Sequence, residues 1–516
     1  GLDAGTELTD FSESNQILSN SSIIDFGVEK EFVMSSTTPF VYPIGEDNRY
    51  TPVKVDFAGI SGGTSGSTDG SLRIRPRNDV APIMLSEDQS IQDAVLLYHW
   101  LLNATTLTGF TADLIANYDD DVIGTDAEST YRGARARFAD PNLEVDNPFP
   151  DTDGDGAVEN ADPDLDTDNT VDRTNNTITY PIDGEDGSFL AGEYFAGDPA
   201  SIPNSFEALI YDNNSGDGLY SNPLNYVEDT DGDGVIDAGE TTRPSAIGEV
   251  SGGVVRLADN STMTLDVDNV QFSRLIIPSS ATLVVDDTNG HLLGQVTGTG
   301  TIRIVTDAPN TDASLPAGDY DTFFDCDSGG GALEYDGTGD YTILTGGINE
   351  VRTLTLSGSG EKTFVETDIS ICEDLVLAGG TVVFPEDQTI TVGNNLVLSG
   401  AASNMSVSSI LDITNDLLLT SGSITGGTGA QINLSGDLTR GTATINMTDA
   451  NAGTLNLEGS SQQTVTGDFS GSNAFANVII NNSTSGNAIV LGRSTTIGVD
   501  TRLTLTDGII STDNTD

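Results

Sequence analysis

Residues 374–400 read DLVLAGGTVVFPEDQTITVGNNLVLSG. Apolar residues alternate with polar ones in short runs, and small or polar residues close each run. This pattern is typical of short β-strands joined by tight turns. About 21 residues hold three such strands and three turns, which is one coil of a β-helix.

The pattern repeats at a constant interval. Five leucines lie 21 residues apart: Leu354, Leu375, Leu396, Leu417 and Leu438. The residues before them are Thr353, Asp374, Asn395, Asp416 and Asp437. Each coil adds roughly 4.8 Å along the axis. We therefore expect the leucines to stack in one internal column and the Asp and Asn residues to stack near the turns.

The chain as a whole is predicted to be all-β. Residues 253–305 and 454–508 keep the same style with looser spacing, so the β-helix is placed at 246–516. A β-sandwich (Ig-like) domain is predicted at 1–140, and an acidic calcium-binding loop region at 141–245. A series of small β-sandwiches is the structural alternative for the C-terminal half, although sandwich strands lack a constant period.

A second motif lies at 229–240, which reads DTDGDGVIDAGE. Its oxygen-bearing residues have the spacing of a twelve-residue calcium loop, with Gly234 at the sharp turn. The predicted ligands are Asp229, Asp231, Asp233, the carbonyl of Val235, Asp237 and Glu240. A solvated acidic turn is the alternative.

Related spacings occur upstream. The first copy would use Asp151, Asp153, Asp155, the Ala157 carbonyl, Glu159 and Asp162; the second would use Asp164, Asp166, Asp168, Asn169 and Asp172. Residues 212–218 are a weaker match. Such loops also occur as calcium-stabilised linkers, so they predict Ca²⁺ as the bound ion and say little about a reaction.

The charge of the chain excludes some partners. It has 19 basic and 80 acidic residues, a formal charge of -61, and residues 141–240 contain 25 acidic residues against Arg173 alone. Nucleic acid phosphates and anionic membranes attract Lys and Arg, so neither is an expected partner. High acidity also suits a salty habitat. The chain contains no run of 18 apolar residues, so membrane insertion is not expected. No signal peptide is visible, and we interpret the chain as a mature fragment of a longer protein.

Two N-terminal segments carry a family resemblance. FVYPIGEDNRYTPVKVDF (40–57), with Pro43, Gly45 and Pro52, and LLYHWLLNATTLTGFTADLIANYDDDVIGTD (96–126) resemble motifs of very large surface proteins of Bacteroidota. Those proteins are exported by the type IX secretion system and include gliding-motility adhesins. The resemblance implies a β-sandwich strand at Tyr98 and Trp100, an extracellular or cell-surface location, and the type IX machinery as a partner.

The same resemblance covers Cys326, which precedes GGGALEYDGTGDYTIL, and Cys372 in DISICEDLVLAGG. It implies a possible disulfide in an extracellular setting. Two coils would separate equivalent positions by roughly 9.6 Å, beyond the usual Cα limit of about 7 Å. A bond therefore requires the Cys326 loop to fold back over a coil, and two separately buried thiols are the alternative.

The functional prediction is a non-enzymatic segment. Basic residues are scattered over the predicted β-helix, and the only histidines, His99 and His291, are far apart with no Ser-His-Asp pattern. We predict a calcium-stabilised part of a large secreted adhesin or filament that mediates adhesion or gliding. Its partners would be an extracellular surface, a polysaccharide or neighbouring copies. A carbohydrate-binding or polysaccharide-degrading β-helix is the alternative.

Overall fold

The structure is a computed structural model of the chain. It describes residues 16–19, 27–32, 39–46, 49–56, 70–78, 95–105, 111–119, 122–123, 131–137, 145–146, 171–172, 175–183, 192–197, 208–229, 234–305, 311–312, 315–320, 322–324, 330–345, 348, 350–365, 367–401, 403–427, 429–447 and 453–512. The fold is all-β, with sheets in the N-terminal region and a C-terminal solenoid of about 11 turns. The predicted fold class is confirmed.

Two antiparallel sheets share one apolar core in the N-terminal region. The inner sandwich sheet contains, in spatial order, Val145–Asp146, Arg132–Arg137, Gly192–Gly197, His99–Thr105, Gly70–Arg77 and Val28–Phe32. The outer sandwich sheet contains Val171–Asp172, Thr177–Asp183, Thr111–Asn117, Val53–Asp56 and Phe40–Tyr42. A small sheet of Ile17–Ser19, Ile44–Glu46 and Arg49–Tyr50 lies beside them. Tyr98 and Trp100 are fully buried in this core; Trp100 lies on strand His99–Thr105, and Tyr98 lies just before that strand rather than on it.

Parallel sheets run along the solenoid. The spine sheet contains Thr262–Leu265, Thr282–Val285, Thr301–Ile304, Ala332–Tyr335, Thr353–Leu356, Leu375–Leu377, Leu396–Leu398, Leu417–Leu419, Leu438–Arg440, Gln463–Thr466, Asn487–Leu491 and Ile509–Thr512. The flank sheet contains Glu350–Val351, Ile369–Ile371, Thr389–Val392, Ile410–Ile413, Gln431–Leu434, Thr454–Leu457, Phe475–Asn481 and Val499–Asp507. The corner sheet contains Thr311–Asp312, Tyr341–Ile343, Glu361–Phe364, Thr381–Phe384, Asn404–Val407, Ser423–Gly426 and Thr444–Asn446.

A further sheet, the cap sheet, begins the solenoid. It contains Tyr226–Asp229, Ala208–Tyr211, Val254–Leu257, Arg274–Ile277, Leu292–Gly298 and Ala317–Asp319. The first two strands pair antiparallel and the others are parallel. The remaining elements are the strand pair Asp468–Phe469 and Thr496–Ile497 and the 3-10 helices Pro223–Asn225, Ile247–Glu249 and Gly471–Asn473.

The predicted leucine column is confirmed. Strand pairing places each leucine directly on the next, in the order Leu354, Leu375, Leu396, Leu417 and Leu438. None is more than 1% exposed. The column belongs to one core that runs from Leu209 to Ile489. The strands alternate because inward aliphatic side chains fill this core while their neighbours face solvent.

The predicted stack of Asp and Asn residues is confirmed at the turns before the last four leucines of the column. Asp374 Oδ1 accepts a hydrogen bond from Asn395 N at 3.0 Å, and Asn395 Oδ1 accepts one from Asp416 N at 3.2 Å. Asp416 Oδ1 then accepts from Asp437 N at 2.8 Å. Each side chain therefore satisfies a turn N–H of the next coil, which fixes the register of the coils.

Strand pairing crosses both domain boundaries expected at 140 and 245. Thr177–Asp183 and Gly192–Gly197, from the expected acidic loop region, are strands of the sandwich sheets. Ala208–Tyr211 pairs in parallel with Val254–Leu257 of the solenoid. The expected loop region therefore contributes to both folded parts, because its apolar strands find partners far away in the sequence.

The inner sandwich sheet packs against the cap sheet through polar side chains. Arg75 is 4% exposed and donates from Nη1 to the Gly318 carbonyl at 3.2 Å. Asn103 donates to the Asp319 carboxylate. Glu193, fully buried, lies 3.5 Å from the Ser273 hydroxyl. These contacts join the sandwich to the side of the solenoid.

Cys372 is disulfide-bonded. Cys326 lies outside the described residues, but it is the only other cysteine in the sequence. The expected pairing of Cys372 with Cys326 therefore stays a prediction.

The leucine column predicts a large difference between two neighbouring substitutions. Leu396→Ala removes a fully buried side chain and should lower the free energy of unfolding by about 2–5 kcal/mol. Val397→Ala is the matched control, since Val397 lies on the same strand but faces outward, and it should cost less than about 1 kcal/mol. Denaturant unfolding of both variants measures the difference, and equal losses would contradict the inward column.

Candidate calcium site

The 229–240 loop begins at the edge of the cap sheet. Asp229 is the last residue of strand Tyr226–Asp229, and its side chain is only 3% exposed. Glu240, at the other end of the loop, is 6% exposed. The two carboxylates that would begin and complete the coordination sphere are therefore both buried against the fold. Buried carboxylates need compensating donors or a cation.

The described part of the loop is closed by its own backbone. Gly234 N donates to Asp229 Oδ2 at 3.0 Å, and Asp237 N donates to Glu240 Oε2 at 2.9 Å. Gly234 has φ of +75°, which a residue with a Cβ adopts only with strain. The loop is thus bent at the position that the calcium motif reserves for glycine.

A contact with the solenoid fixes the bend. A Cβ on Gly234 would lie 2.7 Å from Nε of Arg256. Arg256 belongs to Val254–Leu257, the first solenoid strand after the loop. The loop is therefore packed on the first coil of the solenoid.

The structure describes four of the six predicted ligands. Asp229 and Glu240 are buried, whereas Val235 is 58% exposed and Asp237 is also exposed. Asp231 and Asp233 lie outside the described residues. Among all the residues that the structure describes, no group of three or more His, Cys, Asp or Glu side chains is placed to hold a metal ion. The donor chemistry at the two ends of the loop fits a hard cation such as Ca²⁺, which takes carboxylate and carbonyl oxygens.

The upstream copies fall almost entirely outside the described residues. This applies to Asp151, Asp153, Asp155, Ala157, Glu159, Asp162, Asp164, Asp166, Asp168 and Asn169. Asp172 is described and exposed, in a hairpin with Thr177–Asp183. Its carboxylate accepts hydrogen bonds from N and Nδ2 of Asn175, at 3.2 and 2.6 Å. Asp172 therefore organises a turn.

The weaker match at 212–218 is held by protein donors. Asp217 accepts from Asn222 Nδ2 at 2.6 Å and from Asn225 Nδ2 at 2.8 Å, and these amides lower the pKa of its carboxyl group. Arg243 donates to both oxygens of Asp212, at 3.1 and 2.6 Å. Protein donors therefore bond the carboxylates of both Asp212 and Asp217. The roles of Asn225 and Arg243 were not predicted from the sequence, because their partners lie 8 to 31 residues away.

A second polar group lies on the outward face of the flank sheet. Asp412, Asn433 and Asn456 stack in register, and Asn456 Nδ2 donates to Asn433 Oδ1 at 3.2 Å and to Glu458 Oε2 at 2.5 Å. Burial raises the pKa of the Glu458 carboxyl, and the nearby charge of Asp412 raises it further. These residues were not predicted as a site from the sequence, because acidic residues are abundant throughout the chain.

No family model, curated protein or solved structure matches the chain at a significant level. Within the described ranges, no helix is long and apolar enough to cross a bilayer.

The Gly234 bend predicts the effect of adding one methyl group. Gly234→Ala combines a left-handed φ with a clash against Arg256, so it should destabilise the loop by about 1–3 kcal/mol and increase proteolysis near 229–240. Gly239→Ala is the control, since nothing lies within 4 Å of the added Cβ. Limited proteolysis of both variants checks this. Equal cleavage rates would show that the bend at Gly234 does not stabilise the loop.

Proposed function

We propose that this protein is a non-enzymatic, calcium-stabilised structural segment of a large secreted cell-surface adhesin or filament. Its role would be to hold a rod-like shape outside the cell and to present surfaces to a substratum, a polysaccharide or neighbouring copies. The family resemblance supports export by the type IX secretion system and a part in adhesion or gliding.

The continuous solenoid core is the observation that carries this proposal. One apolar cluster runs through about 11 turns, which corresponds to a length of roughly 50 Å. Aliphatic side chains fill the interior, and the Asp and Asn stack fixes the coils in register. Such a body suits a load-bearing spacer, because each coil is supported by its two neighbours.

Calcium would stabilise the start of this rod. We propose that Asp229, Asp231, Asp233, the Val235 carbonyl, Asp237 and Glu240 bind one ion. The loop joins the edge strand Tyr226–Asp229 to a segment packed on Arg256, so an ion would tie this edge strand to strand Val254–Leu257 of the first coil. It would also reduce repulsion within a region that has 25 acidic residues between positions 141 and 240.

Calcium should raise the stability of the cap, and removal should lower it. With free Ca²⁺ at 100 times the dissociation constant, binding to the native state alone adds about 2.7 kcal/mol. We expect EDTA to lower the melting temperature and to increase proteolysis of 141–245. An unchanged melting temperature and proteolysis pattern would contradict calcium stabilisation.

A matched pair of double variants assigns the effect to the loop. Asp229→Asn with Glu240→Gln should abolish the calcium-dependent rise in melting temperature. Glu386→Gln with Asp387→Asn makes the same charge change at exposed residues of the solenoid and should keep the rise. If both double variants lost the calcium-dependent rise in melting temperature, calcium would act through the overall charge of the chain and not through the 229–240 loop.

The adhesive part of the proposal needs its own assay. Beads coated with the calcium-loaded chain should be retained on glass or on immobilised polysaccharides under flow, compared with albumin-coated beads. Retention equal to albumin on every surface would contradict an adhesive role. That result would not contradict calcium stabilisation of the rod.

One observation favours the second candidate, a polysaccharide-degrading β-helix. Glu458 has a raised carboxyl pKa beside the charge of Asp412, and an acid paired with a second carboxylate is what glycoside hydrolysis uses. Under this candidate the chain should release reducing ends from an acidic or neutral polysaccharide. Glu458→Gln should lower that rate by at least about 100-fold. No release from a polysaccharide panel would exclude the activity for those substrates.

A further inference from the structure

A buried histidine connects successive coils at the start of the solenoid. His291 is 5% exposed and directly precedes the cap-sheet strand Leu292–Gly298. Its ring accepts a hydrogen bond from the backbone of Val270 in the preceding coil. Its carbonyl accepts one from Ala317 N in the following coil, at 3.1 Å. A change in the charge of this side chain therefore acts where coils are joined.

Hydrogen bonds fix the tautomer of the His291 imidazole. Val270 N–H donates to Nδ1 at 3.3 Å, so Nδ1 carries no proton. Nε2 lies 3.0 Å from the hydroxyl of Thr288, and that hydroxyl donates its only proton to the Leu265 carbonyl at 2.7 Å. Nε2 therefore carries the ring proton and donates it to Thr288 Oγ1. The ring satisfies all of these partners only in its neutral form.

A second proton on the ring would break this arrangement. Nδ1–H would point at the Val270 N–H, so two donors would face each other with no acceptor between them. The ring would also carry a charge at a buried position, which is costly unless the charge is paired. Protonation therefore removes the bond between the side chain and the preceding coil.

The charges around the ring do not remove this cost. Burial lowers the pKa of His291, and a hydrogen bond with the Thr288 backbone and the charge of Asp268 act in the opposite direction without reversing the shift. Asp268 is exposed, and its Oδ1 already accepts a hydrogen bond from Asn289 N at 2.8 Å. The other charged residues on the segments packed around the ring are Asp266, Arg274, Asp286, Asp287 and Asp319.

Those five residues face other partners or solvent. Asp266 accepts hydrogen bonds from the backbone and the hydroxyl of Ser221, and Asp319 bonds Asn103 of the sandwich. Asp286 and Asp287 are exposed. Arg274 lies beside Gln295, further along the strand that follows His291.

The direction of the pH dependence follows from this environment. The folded state binds a proton on His291 less readily than the unfolded state, whose histidine pKa is about 6.5. Stability is therefore kept above that pH and falls as the pH drops below it, because the unfolded state then takes up the proton first.

We propose that His291 is an acid-sensitive clamp on the first coils of the solenoid. In its neutral form it ties its own coil to Val270 and, through Thr288, to Leu265. In its protonated form it releases the Val270 N–H and loosens residues 262–298. Residues 375–440 contain no histidine and keep their packing at the same pH. This inference goes beyond the proposed function and depends neither on calcium nor on adhesion.

Hydrogen–deuterium exchange of the full chain in calcium tests the proposal. It compares about pH 7.5 with about pH 5.5, either side of the ordinary histidine pKa, after correction for the intrinsic exchange rates. At the lower pH we expect exchange at least about 10-fold faster in 262–298 and no change in 375–440.

Two variants assign the pH effect to one side chain. In His291→Asn an amide oxygen can still accept from the Val270 N–H, but the side chain does not titrate in this range, so the pH effect should disappear. His99→Asn is the matched control: it removes the only other histidine and should keep the effect.

Two exchange results would overturn the proposal. One is a wild-type chain in which exchange of 262–298 does not respond to pH; the other is a response that persists in folded His291→Asn. If His291→Asn fails to fold, nitrogen-15 NMR of the histidine-labelled wild-type chain replaces it. At about pH 7.5 an imidazole with its proton on Nε2 alone is required. Its absence from both histidine signals would also overturn the clamp.

Discussion

The stacking of one coil directly on the next is the constraint on which this structure depends. A residue lies on its equivalent about 21 positions later, so an aliphatic residue in one coil is buried only if the next coil offers another. Leu354 to Leu438 satisfy this condition on the inside. Asp374, Asn395 and Asp416 satisfy it at the turn, where each accepts an N–H of the following coil. Apolar burial supplies the stability, and the polar stack prevents the coils from slipping.

The sequence predicted the features that recur and missed those that occur once. The leucine column and the Asp/Asn stack could be read from the 21-residue interval. The start of the solenoid at Ala208–Tyr211 could not be predicted in this way. This strand pairs with Val254–Leu257, and the two strands are not related by the 21-residue interval. In the same way, Gly192–Gly197 joins the sandwich by pairing with strands about 60 to 90 residues earlier in the chain. A single sequence contains no signal for such contacts.

The 229–240 loop was likewise predicted in part. Its spacing predicted the bend at Gly234, and the structure has a left-handed backbone there with Gly234 N bonded to Asp229. The spacing did not predict that Arg256 would pack against the bend or that the loop would belong to the solenoid cap. An ion bound in this loop, as we propose, would therefore have a mechanical role. It would act where the rod begins, beside the contact with the sandwich through Arg75 and Gly318.

Our central claim is that calcium acts on the cap of a rod whose repeats are stable without it. Hydrogen–deuterium exchange of the full chain, with calcium and with EDTA, tests this most directly because it reports each segment separately. We predict that removing calcium speeds exchange in 208–260 and leaves 375–440 unchanged. Uniform acceleration across both segments, or no change in 208–260, would contradict the account.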